Sequence, residues 1–164
     1  MGIIPFALKK AREEFFMFVY KIKNYVIAVL ALVLSLCFCF GVRFCYACKL
    51  SALSGQRTFY LDYPSSQALR APCLNIKDIF RVKGESVRFT LDDAREREAI
   101  VGEIVEKYDA EILFTEEACG TISFYCYAPA LYAGVCVQGR TVNLHIAATE
   151  KTCAVGSPII FDGF

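Results

Sequence analysis

The chain has a single histidine, His145, and no tryptophan. One histidine, with no clustered Cys/His spacing around it, gives no zinc site. There is no glycine-rich phosphate loop and no G-x-S-x-G turn, so nucleotide chemistry and α/β-hydrolase chemistry lack their usual signatures. No cofactor is implied. Internal repeats and low-complexity tracts are missing too. Net charge is small, with 18 basic against 17 acidic side chains. The most telling absence is local: Tyr25–Val42 carries no charge and no proline.

That stretch reads YVIAVLALVLSLCFCFGV, 18 residues. As a helix it is roughly 27 Å long, enough to cross a bilayer core. Four segments follow: a basic amphipathic cytoplasmic or interfacial stretch (1–24), a transmembrane helix (25–47), a linker (48–56) and an extracytoplasmic domain (57–164). In the first, Ile4, Leu8, Ala11, Phe15 and Ile22 recur at helical spacing, with Lys9, Lys10 and Arg12 between them. Such a helix can lie in a membrane interface. The apolar run exceeds the core of a cleaved signal peptide and its leading segment is long, which favours an uncleaved anchor.

Residues 1–48 carry six basic and two acidic side chains; the remainder carries 12 and 15. An acidic domain is not drawn to phosphate backbones, so nucleic acid is not an expected partner. Five Lys/Arg precede the span, while only Arg43 and Lys49 follow it closely. The positive-inside rule puts the N-terminus in the cytoplasm and the C-terminal domain outside, in a single-pass cell-membrane protein.

The domain reads as α+β, a helix packed on a curved antiparallel sheet. Strands are expected over 57–62 and 85–90, with a short helix over 67–70 between them. A longer helix is expected to start from Thr90 as N-cap, with Asp93 in a capping-box position. Ala94, Val101, Ile104, Val105 and Tyr108 would form its buried face. Strands then follow over 110–115, with Ile112 and Phe114 on one side, and over 121–127. Further strands cover 135–137, 140–147 and 152–161. Gln138-Gly139 is a two-residue hairpin turn, and Pro158 marks an edge or a strand end.

The segments Gly120-Thr-Ile-Ser-Phe-Tyr-Cys-Tyr-Ala-Pro129, Val142-Asn-Leu-His-Ile-Ala147 and Val155-Gly-Ser-Pro-Ile-Ile160 resemble the C-terminal part of YwmB-type envelope proteins of endospore-forming bacteria. The resemblance covers about the last third of the chain. It implies a curved sheet related to that of the TATA-box-binding protein, placed outside the cell, with no established activity. It does not imply DNA binding.

Nine cysteines are the main chemical feature. Cys37 and Cys39 lie in the apolar run and read as small apolar residues. Cys45-Tyr-Ala-Cys48 has C-x-x-C spacing without a thioredoxin-like context. Cys119 and Cys153 both neighbour turns and are the disulfide candidates. Their bond would stabilise by roughly 3–4 kcal/mol in the chain-entropy model. Tyr125, Tyr127, Tyr132, Asn143 and His145 are candidates for one polar-aromatic binding face, since tyrosine offers stacking area and a hydroxyl together. No catalytic or metal-ligand set is expected.

The expected function is a membrane-anchored extracytoplasmic binding or scaffolding module of the cell envelope, without catalysis. Its expected partners are the lipid bilayer and another envelope protein or wall glycan. The alternatives are a thiol-dependent envelope enzyme or redox protein, using Cys126 or Cys136 near His145, and a subunit of a membrane complex.

Overall fold

The structure, a computed structural model, describes residues 6–92, 96–131 and 134–161. It divides into two units, Met1–Val42 and Arg43–Phe164. The described residues of the first, 6–42, lie in helix α1, Phe6–Ala47, whose last turn belongs to the second unit. Within α1 the stretch Arg12–Cys45 is long and apolar enough to cross a membrane.

The second unit is α+β. Its strands are β1 (Gln56–Leu61), β2 (Leu69–Ala71), β3 (Val82–Thr90), β4 (Glu111–Ala118), β5 (Thr121–Tyr127), β6 (Val135–Val137), β7 (Arg140–Val142), β8 (Leu144–Ala148) and β9 (Thr152–Ser157). Helix α2 spans Glu96–Lys107. Seven strands form one antiparallel sheet in the order β2-β1-β3-β9-β8-β5-β4, and β6 and β7 form a separate ribbon.

Turn chemistry explains the hairpins. Cys119-Gly120 and Gln138-Gly139 all have positive φ, as a two-residue turn between right-twisted strands requires. Asp109, also left-handed, stops α2, where Ala110 N–H donates to the Val105 carbonyl.

Alternation decides which face each strand buries. One sheet face carries Val87, Cys126, Leu144, Ile146 and Val155 beneath Val101 and Ile104 of α2, with Leu50 in the same cluster. The other face has Tyr60, Ser86, Tyr125 and His145. Residues 159–161 fold back over part of it: Phe161 meets Tyr60 edge-on at 5.0 Å, and Ile160 N–H reaches His145. Gly156 makes this possible. A Cβ there would sit 2.7 Å from Ile160, so only glycine lets the chain lie that close.

Three expectations change. The stretch expected to be a short helix over 67–70 leads into strand β2, because Phe59, Tyr60 and Leu61 of β1 offer an edge for Leu69–Ala71 to pair with. Thr90 ends β3, paired with Thr152, rather than capping α2, which starts at Glu96; Asp93 and Ala94 lie outside the described residues. The stretch read as a linker is bound into the domain. Leu50 N–H donates to Glu85 at 2.6 Å, Arg57 donates to the Leu50 and Leu53 carbonyls, and Lys107 donates to the Ala52 carbonyl.

Candidate functional site

Three neighbouring strands bring three rings into one stack. The register sets Phe114 opposite Tyr125 and Tyr125 opposite His145. The Phe114 and Tyr125 rings are 4.5 Å apart and 16° from parallel. Tyr125 and His145 are also 4.5 Å apart, 8° from parallel.

A β-bulge creates the first of these contacts. Ile112 pairs with Cys126 and Phe114 with Tyr125, so Leu113 is the extra residue. The bulge moves Phe114 to the face opposite Ile112, although alternation alone places the two on one side. Arg140 donates to the Leu113 carbonyl at 2.6 Å. Glu116 then joins sheet and ribbon, accepting from the Tyr125 hydroxyl at 3.1 Å and from Gln138 Nε2 at 2.6 Å. Burial, reinforced by Glu116, raises the Tyr125 phenol above its ordinary range.

His145 is the inner end of the stack, only 7% exposed. Its Nδ1 accepts from Ile160 N–H at 3.4 Å, and its Nε2 is buried without a hydrogen-bond partner among the described residues. Burial lowers the imidazole to about 4. The ring is therefore neutral at physiological pH and largely shielded from solvent.

The expected binding face is not one open surface. Asn143 is buried, and its amide pairs with Ala128 N–H at 2.6 Å and the Ala128 carbonyl at 2.7 Å. Tyr125 is held between two rings. Tyr127, at 39% exposure, is the open member, and Tyr132 lies outside the described residues. Alternation gave the shared face of Tyr125 and His145 correctly but could not foresee the segment that covers His145.

All nine cysteines are free thiols, so the expected Cys119–Cys153 bond is not formed. Cys119 is exposed in its turn and lines a shallow groove of about 310 Å³ with Gly120, Thr149, Glu150 and Lys151. Cys153 lies in the core. Cys126 pairs with Leu144 on the α2-covered face, opposite to His145. Burial pushes the Cys126 and Cys153 thiols up to about 12. Cys136 is exposed on the ribbon. Among the described residues no group of three or more His, Cys, Asp or Glu side chains could hold a metal ion.

Sequence reasoning missed a buried polar knot. The Glu85 carboxylate meets Arg57 at 2.5 Å and Leu50 N–H at 2.6 Å, and the Tyr108 hydroxyl is buried without a hydrogen-bond partner among the described residues. The one available signal was an acidic residue opening an otherwise apolar alternation, Glu85-Ser-Val87. Compared with protein-family models, curated proteins and solved structures, the chain matches none.

Proposed function

We propose that the chain is a single-pass membrane protein. Its C-terminal domain is an extracytoplasmic, non-catalytic binding or scaffolding module of the cell envelope. One observation carries this reading. The apolar stretch Arg12–Cys45 has a mean hydropathy of 2.7 in its best window, and none of that window is buried. A soluble fold hides an apolar surface of that size, whereas a bilayer accepts it.

Two further features support the reading. Ala47 is buried in the domain's second apolar cluster with Phe59, Leu61 and Val82, so cleavage before Cys48 would remove a piece of core. This favours an anchor that stays attached. His145 is neutral and covered, and Cys126 faces away from it, so neither offers an assembled nucleophile–base pair. Within the domain, the edge strand β4 presents exposed Glu111, Glu116 and Glu117 beside Ile112 and Tyr127. That edge suits a partner carrying basic groups.

The test uses intact cells and a membrane-impermeant maleimide, with mass spectrometry reading the exposed Cys119. Cys119 is expected to be labelled without permeabilisation, and the chain to stay in membranes through an alkaline wash. Labelling only after permeabilisation would place the domain in the cytosol. Release by the wash would remove the anchor.

A further inference from the structure

Charge is divided within the second unit. Residues 43–83 hold seven basic and two acidic side chains; residues 84–164 hold six and thirteen. The sheet order separates these halves, with β2 and β1 at one end and β4, carrying three glutamates, at the other. The two acids of the basic half, Asp62 and Asp78, are both bridged by Arg81, at 2.7 and 2.9 Å.

The basic end also carries exposed apolar side chains. A 3-10 turn at Ile76–Asp78 leads to Phe80, with Ile76 74% and Phe80 56% exposed. Backbone bonds from Asp78 N–H to Asn75 and from Arg81 N–H to Asp78 hold this loop in shape. Its place along the chain path is fixed by Arg43, which donates to the Phe80 carbonyl at 3.2 Å. The guanidinium also lies 6.0 Å from the centre of the Phe80 ring. Arg43 directly follows Val42, the last residue of the uncharged run.

We infer that Ile76 and Phe80 form a second membrane contact, inserted into the headgroup–acyl boundary of a bilayer carrying anionic lipid. The inference rests on the membrane reading proposed above. An aromatic and an aliphatic side chain with lysine and arginine around them is the composition that binds such an interface. Lys77 and Lys83 sit in the same loop and strand start as the two apolar residues, and Arg81 neutralises one of the two carboxylates it bridges there. Anionic headgroups attract this end of the domain and repel the glutamate-bearing β4 end, so charge complementarity selects a lipid surface as the occupant.

The absence of tryptophan makes the test clean. The full chain is reconstituted into phosphatidylcholine–phosphatidylglycerol vesicles in which part of the phosphatidylcholine has brominated acyl chains. Single variants Ile76→Trp, Phe80→Trp, Leu34→Trp and Tyr127→Trp are compared by fluorescence quenching. Tyr127 lies on β5, four strands from β1, or roughly 19 Å across the sheet. Quenching at positions 76 and 80 is expected to exceed that at 127 by about threefold or more, and to fall when phosphatidylglycerol is omitted. If 34 is quenched while 76 and 80 match 127, the second contact is wrong and the span stands. If 34 is not quenched, the span reading fails and this inference fails with it. Emission at 76 and 80 that varies with protein concentration, without quenching, would mean a second copy covers the patch and would also overturn it.

Discussion

The carboxylate of Glu85 and the guanidinium of Arg57 meet at 2.5 Å, with the glutamate side chain wholly out of solvent. The same two residues grip the chain where it enters the domain. Glu85 accepts from Leu50 N–H, and Arg57 donates to the Leu50 and Leu53 carbonyls. A buried pair of this kind adds little net stability over apolar residues, but losing one partner strands the other's charge.

Arg57→Met is therefore expected to destabilise the domain by about 3–5 kcal/mol. Glu85→Gln keeps an oxygen for Leu50 N–H and should cost less, about 1–2 kcal/mol. Tyr108→Phe removes a buried hydroxyl that has no hydrogen-bond partner among the described residues, and should be neutral or stabilising. Denaturant unfolding of the full chain in micelles ranks the three. An Arg57→Met cost no larger than that of Glu85→Gln would contradict the clamp.

The pH dependence follows from His145. Burial lowers its folded value to about 4, against 6.5 as the ordinary value. As pH falls below 6.5 the unfolded chain takes up a proton that the folded chain refuses. Stability supplied by the neutral ring is thus complete above 6.5 and is lost as pH falls to about 4. The loss amounts to about 3 kcal/mol. Glu85 acts in the opposite sense. Burial, outweighing its contacts with Leu50 and Arg57, raises it above 4.5, so its contribution is complete below 4.5 and fades as pH rises through the folded value. His145→Phe keeps a ring against Tyr125 and should flatten the stability profile between pH 6.5 and 4.5. An unchanged slope would show that His145 is already open to solvent.

Gly156→Ala tests the C-terminal cover. The new methyl would meet Ile160 at 2.7 Å and the Ile159 carbonyl carbon at 2.8 Å, so residues 159–161 must lift. A cost of about 1–3 kcal/mol is expected. Lifting the cover also hydrates His145, so its titration, read by NMR from the chain's one histidine, should move up toward 6.5. Destabilisation without that movement would separate the cover from the ring beneath it.

Thiol reactivity separates the cysteines by depth. Cys73, Cys119 and Cys136 are exposed and should be alkylated in the native chain at pH 8. Cys126 and Cys153, pushed to about 12 and enclosed, should react only on unfolding. Mass spectrometry of the labelled chain decides it. Native protection of Cys119 that reductant relieves would instead indicate its bond to Cys153.

The uncharged run at 25–42, the β5 alternation and the Gln138-Gly139 turn were legible because each is a local property. Hydropathy, period and positive φ act over a few residues, and β5 and the ribbon turn formed where the sequence places them. The 3.6-residue period likewise identified α2 by its apolar face. What the sequence alone could not supply was which distant segment covers which face. Asn143 looked like a surface residue until Ala128 came to meet its amide. His145 looked open until residues 159–161 crossed it, and nothing local to Glu85 named Arg57 and Leu50 as the groups that close around it. Alternation assigns a side chain to one of two faces; only the folded chain, through contacts 15 to 35 residues apart, decides whether that face meets water or another layer.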